Sequence, residues 1–274
     1  MDRRCRPAAA FAVFAALAGL AALPTIGCAT RAFEAGCSRE AGSRTREPLM
    51  WLARHPEHRG ALYLLGSVHF DESRAQPLGG EIERAFALAH ELVVEVDLES
   101  AAHLAAADEL GRRGLLDPPQ TLADVISRST FERLTQYLDE RGLAVERVAS
   151  RKPWYVANLL VVIELQRAGY DAAHGVDRLF IERARDKPIV ELESADAQLE
   201  LLDGLPLETQ EAMLSDALAR SPDFERATRE LLDAWRYGDE QALQQIVFRS
   251  VADDADFEPF YERVFFRRNA AMSE

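Results

Sequence analysis

Ala61-Leu62-Tyr63-Leu64-Leu65-Gly66-Ser67-Val68-His69 is the stretch on which the fold turns. Five apolar residues that stop at a glycine and lead to a histidine read as a strand whose carboxyl end opens onto a polar site. Upstream, Leu49-Met50-Trp51-Leu52 is a second apolar run, separated from the first by the polar turn His55-Pro56-Glu57-His58-Arg59-Gly60, so a hairpin is expected. Downstream, Ile82, Phe86 and Ala89 are spaced like one helix face, and Leu92-Val93-Val94-Glu95-Val96 is β-branched like an interior strand. Strand, helix, strand, with a connection long enough to cross over, predicts parallel pairing of 62–65 with 92–96. Beyond Asp97 the periodicity is helical: near 101–113, 121–127, 130–141, 153–168, and from 175 to about 185. A strand at Pro188-Ile189-Val190-Glu191-Leu192 follows. Helices resume from about 195 and continue at 206–219, 223–236 and 239–249. The predicted class is α/β, a central mixed sheet with its site at the strand ends and a large helical insertion.

The chain has 274 residues, 48% hydrophobic and 28% charged, with 32 Lys and Arg against 46 Asp and Glu, a net charge of −14. That composition supports a folded core and excludes collagen-like, wholly disordered and polytopic membrane chains. The acidic balance, with no basic stripe, speaks against a nucleic-acid partner. Residues 1–27 read as a signal peptide: Arg3, Arg4 and Arg6 precede the apolar run Ala8–Leu23, which falls short of the roughly 20 residues of a spanning helix. Thr25-Ile26-Gly27-Cys28 resembles a lipobox, which makes Cys28 the expected lipidation site and a lipid or signal anchor the expected tie to a membrane. Export across an inner membrane, to a periplasmic or outer-membrane position, follows from that leader. Residues 28–47 read as a flexible linker and 48–274 as the folded domain. Cys5, Cys28 and Cys37 all precede that domain, so a disulfide framework, a cysteine-zinc site and a cysteine nucleophile within it are excluded.

Three strand ends carry the candidate chemistry. His69 follows the first; imidazole there could bind a metal or act as a general base. Glu95 and Asp97 end the second at i and i+2, pointing to one face, and a carboxylate in so apolar a strand needs a cation or an arginine beside it. Oxygen donors suit a hard divalent ion. Glu191 and Glu193 repeat the pattern on the third. Elsewhere, His174 beside Gly175 and Asp177 is explained by a helix cap, and His55, His58, His90 and His103 by solvated turns and helices. Trp154 and Tyr155 read as core. Ser67 lacks the context of a hydrolase nucleophile, and no phosphate loop or dinucleotide fingerprint is present.

These residues resemble the TraB/GumN family, which includes the Wnt-cleaving TIKI proteases. The matching segments are Tyr63–His69, Leu92–Asp97, Gly175-Val176-Asp177-Arg178-Leu179, Lys187–Glu193 followed by Gln198 and Leu202, Trp235-Arg236-Tyr237-Gly238-Asp239, and Arg267-Arg268-Asn269-Ala270-Ala271-Met272. The resemblance implies a metal-dependent hydrolase, a peptidase in some relatives, with a peptide or small-molecule substrate that it does not identify. It makes His69 the histidine of a GxxH motif, Glu95 the acid that shares a divalent ion with it, and Arg268 the arginine that stabilises developing negative charge or a substrate carboxylate. Asp97, Glu191, Glu193 and Asn269 are supporting residues in the same scheme. The family also expects a second GxxH motif and strand after the Arg-Asn helix. The sequence reaches Glu274 without them, so a C-terminally incomplete domain is expected, with a catalytically inactive envelope binding or regulatory module as the alternative function.

Overall fold

The computed structural model describes residues 48–54, 60–72, 78–184, 186–248 and 257–272. The leader, Cys28, the linker, His55 and His58 lie outside them.

The hairpin forms as expected. β1 (Met50–Arg54) pairs antiparallel with β2 (Ala61–Leu65), in register from Met50 opposite Leu65 to Arg54 opposite Ala61. Helix α1 (Gly80–Leu88) buries Ile82 and Ala85 and leads into β3 (Leu92–Val94). The expected pairing of β2 with β3 does not form. β3 instead lies parallel to β4 (Ile189–Glu191), Leu92 opposite Ile189 and Val94 opposite Glu191. The ladder runs on past both strands, with Leu192 N donating to Val94 O (2.9 Å) and Glu193 N to Glu95 O (3.0 Å). Just after β2 the chain is held by another segment. Val176 N donates to Val68 O (2.8 Å), and Asp71 and Asp171 form an antiparallel bridge. The class is therefore α/β; among the described residues the strands lie in two small two-stranded sheets and helices supply most of the mass.

The helices follow the sequence closely: α2 (Ala101–Arg113), α3 (Leu122–Val125), α4 (Arg128–Asp139), α5 (Pro153–Arg167), α6 (Val176–Arg183), α7 (Ala195–Asp203), α8 (Leu207–Arg220), α9 (Phe224–Arg236) and α10 (Glu240–Val247). Local chemistry sets their starts. The side chains of Ser100, Ser127, Ser194 and Asp239 each accept from a backbone N–H three residues on, and Pro153 opens α5, where a missing N–H is harmless.

Among the described residues, two apolar clusters make the core. One gathers α3, α4, α5, α7, α8 and the C-terminal segment around Trp154, Leu160 and Leu214. The other surrounds the end of β2, with Val68, Phe70, Val176, Leu232 and Trp235. Helix α5 serves both, Trp154 and Leu160 in the first and Leu165 in the second, which accounts for its apolar character all round. The C-terminal segment runs as α11 (Glu258–Tyr261), a π-helical stretch (Glu262–Arg267) and α12 (Arg268–Met272). It is anchored by Phe257, Phe260, Tyr261 and Phe265, whose rings stack edge-on or face-on at 5.2–6.5 Å between centroids.

Candidate active site at the strand ends

The segment carrying His69 is held at both ends. Trp235, buried on α9, donates its indole Nε1–H to Gly66 O at 2.7 Å, and Arg236, next to it, binds the Asp71 carboxylate. The middle is pressed against Gly175: a Cβ there would lie 2.7 Å from the carbonyl carbon and oxygen of His69, closer than real contacts allow. Gly66 is different, since a Cβ on it would meet only Leu49 O at an ordinary 3.8 Å. The glycine that the histidine's position requires is thus Gly175, from a distant part of the chain, and not the one preceding it in sequence.

The ring of His69 meets the carboxylate of Asp177 through Nδ1, and both side chains are largely buried, at 12% and 14% exposure. Asp177 sits in the first turn of α6 and also accepts a hydrogen bond from the Ser67 hydroxyl. On the far side, Glu95 leaves the end of β3 and Glu193 leaves the end of β4. Arg268, at the start of α12 and only 5% exposed, joins them. Its Nη2 donates to Glu95 Oε2 at 2.7 Å and its Nε to both oxygens of Glu193 at 2.7 and 2.8 Å. Gln198 donates Nε2 to Glu193 Oε1 at 2.7 Å. The buried carboxylate at the strand end therefore has the arginine partner that its apolar surroundings demand.

The charges act on one another across this cluster. Burial works to lower the pKa of His69, but the charge and hydrogen bond of Asp177, aided by Glu95, overcome it, so the pKa is raised. Arg268 pulls in the opposite direction. Burial raises the Glu95 carboxyl above its ordinary range, and Arg268 and His69 only partly reverse this. Asp177 is lowered: burial would raise it, and His69 and Ser67 outweigh the burial.

His69, Glu95, Glu193 and Arg268 are thus brought together, and Asp97 and Glu191 are not. The Asp97 carboxylate accepts from Glu99 N (3.0 Å), and its own N–H donates to Glu191 Oε1 (2.7 Å), so these two acids tie backbone at the strand ends. Regular i, i+2 alternation fails there because β3 ends at Val94 and the chain turns. Asn269 follows Arg268 on α12 and is half-buried. Arg268, expected to stabilise developing negative charge or a substrate carboxylate, meets two carboxylates of its own chain. Asp177, read as a helix cap, is instead the partner of His69; its place directly after Gly175 and Val176 was visible, but its partner lies 108 positions earlier.

His69 and Glu95 offer the donor types that a divalent ion takes, but they do not make a complete site. A catalytic ion of the zinc type uses about three protein donors. Among the described residues, no group of three or more His, Cys, Asp or Glu side chains is arranged to hold an ion. Glu95 also already has Arg268 as its compensating cation.

The sequence profile of the TraB/PrgY/gumN family matches residues 49–274. The chain belongs to that family. The match takes in every residue of the cluster. Among family relatives, YbaP of Escherichia coli (strain K12) is 26% identical over 179 residues, covering 63% of each chain, and YbaP of Shigella flexneri matches to the same extent. The matched region thus spans less than two thirds of those relatives. A Treponema pallidum (strain Nichols) protein is 24% identical over 250 residues, covering 89% of this chain and 73% of its own length. All three are uncharacterized proteins. No solved structure matches.

Proposed function

We propose that this TraB/PrgY/gumN member is a hydrolase that cleaves an acyl bond, a peptide bond foremost, at the cluster of His69, Glu95 and Arg268. The observation that carries the reading is the convergence, from separate strand ends, of a largely buried imidazole held by Asp177 and a largely buried carboxyl held by Arg268; their shared surroundings push both pKa values up. His69 takes a proton from water as the water oxygen bonds to the carbonyl carbon. The same proton passes to the leaving nitrogen as the C–N bond breaks. Glu95 favours the imidazolium formed in between, and Arg268 holds Glu95 in place while limiting how far His69 is biased toward that form. The reading includes export to the cell envelope with a tether at Cys28; among the described residues no helix is long and apolar enough to cross a membrane.

Hydrolysis of a peptide and ester panel by the full chain tests it. Activity that falls by at least about a hundredfold in folded His69→Ala supports the proposal. Equal activity in that variant overturns it. A divalent ion at His69 and Glu95 is proposed separately, with no step routed through it. Near-stoichiometric metal in the wild type that is lost from Glu95→Gln supports the ion; none in either removes it and leaves the acid–base reading standing.

One observation favours a second reading, a catalytically inactive envelope binding or regulatory module. Asp177 on His69 and two carboxylates on Arg268 form a network of ion pairs of the kind that purely structural clusters also make. A panel on which the wild type is inactive, with partner capture unchanged in His69→Ala, would establish it.

A further inference from the structure

We infer that Asp177 is the positioning residue of His69, fixing the imidazole as the Nδ1–H tautomer so that Nε2 is the nitrogen with a lone pair for a proton or a ligand. The inference rests on the reading of His69 as the reacting group, and its test does not require hydrolysis.

A neutral imidazole carries one N–H, and the hydrogen bond made by one nitrogen decides the role of the other. Asp177 meets Nδ1. An ionised carboxylate only accepts, so the nitrogen facing it must carry the hydrogen. Three features keep the carboxylate there. Ser67 donates to it, which leaves the carboxylate less freedom to turn away from the ring. Asp177 lies in the first turn of an eight-residue helix, where backbone N–H groups favour a negative charge. Gly175, two residues before, lies against the His69 backbone where any side chain would push the two segments apart. The Val176 N–H to Val68 O bond, at 2.8 Å, sets the spacing between them. Backbone and side chain therefore fix the same pairing from two directions. Glu95, from the end of β3, and Arg268, from the start of α12, exert opposite pulls on the ring's charge.

The experiment is the ¹⁵N spectrum of the His69 ring in the full chain, taken at a pH high enough for the ring to be neutral and assigned by comparison with His69→Gln. Wild type is expected to show Nδ1 protonated and Nε2 bare by a ratio of at least about ten to one, the size of preference a hydrogen bond to a charged group gives. Asp177→Ala is expected to move the ring toward the Nε2–H form, with Asp177→Glu recovering part of the wild-type ratio. Should Asp177→Ala fail to fold, Ser67→Ala supplies the milder test: a smaller shift in the same direction, at unchanged melting temperature. A wild-type ring with Nε2 protonated overturns the inference, as does a ratio that Asp177→Ala leaves untouched. If the tautomer behaves as expected and the panel shows no hydrolysis, the reaction assignment fails and the positioning stands.

Discussion

At the scale of the residue, Arg268 decides most. Its side chain is 3% exposed and its guanidinium binds two carboxylates that leave different strands. A buried pair of this kind adds little net stability over an apolar replacement, yet removing one partner strands the other's charge. Arg268→Ala is therefore expected to destabilise the fold by about 3–5 kcal/mol in urea unfolding. Adding Glu95→Gln and Glu193→Gln in the same chain should restore most of that loss. A cost under about 1 kcal/mol for Arg268→Ala would mean that water reaches the carboxylates and that the cluster is a surface feature.

At the scale of the element, the C-terminal segment carries that arginine. Phe265, 1% exposed within the π-helical stretch, stacks on Tyr261 with ring centroids 5.2 Å apart, and Tyr261 donates its hydroxyl to Val247 O at 3.0 Å. The wider π winding changes the face on which the next residues emerge, and Arg268 is the first residue after it. Phe265→Ala is expected to cost about 3–5 kcal/mol, as for other large aromatic truncations in a core. It should also raise amide exchange at Glu193, whose N–H donates to Glu95 O and which lies far from the cavity in sequence but depends on the arginine. Protection at that position equal to wild type would separate the aromatic anchor from the site. The hairpin, α2 and α5 could be read from sequence because caps, Pro153 and the spacing of apolar residues are local signals. The partner of β3 could not, because strand pairing joins segments far apart in sequence and nothing local to either strand names its partner.

At the scale of the whole molecule, the site lies where two apolar clusters meet the ends of two small sheets, and its charges make stability depend on pH. His69 has its folded pKa raised, so its contribution is complete below its unfolded pKa and is lost as pH rises through the folded value. Asp177 has its folded pKa depressed, so its contribution is present above its unfolded pKa and is lost as pH falls through the folded value. Both operate together between about pH 4 and 6.5, the unfolded values for a carboxyl and an imidazole. The stability difference between wild type and His69→Gln is expected to be largest in that window and to shrink above it, as read from urea midpoints at a series of pH values. A difference that stays flat from acid through alkaline pH would show that the pair holds the fold by packing alone.

The sequence by itself determined the helices and their starts, the hairpin, the α/β class, the family, and four of the residues that converge: His69, Glu95, Glu193 and Arg268. Those rest on signals carried within a few residues, or on short motifs whose order along the chain can be read directly. Tertiary structure alone decided that β3 joins β4, that Gly175 and not Gly66 makes room for His69, that Asp177 holds its ring, and that Arg268 is spent on Glu95 and Glu193. Each of those depends on which distant backbone comes within hydrogen-bonding distance, and a buried charge accepts whatever partner the packing brings to it.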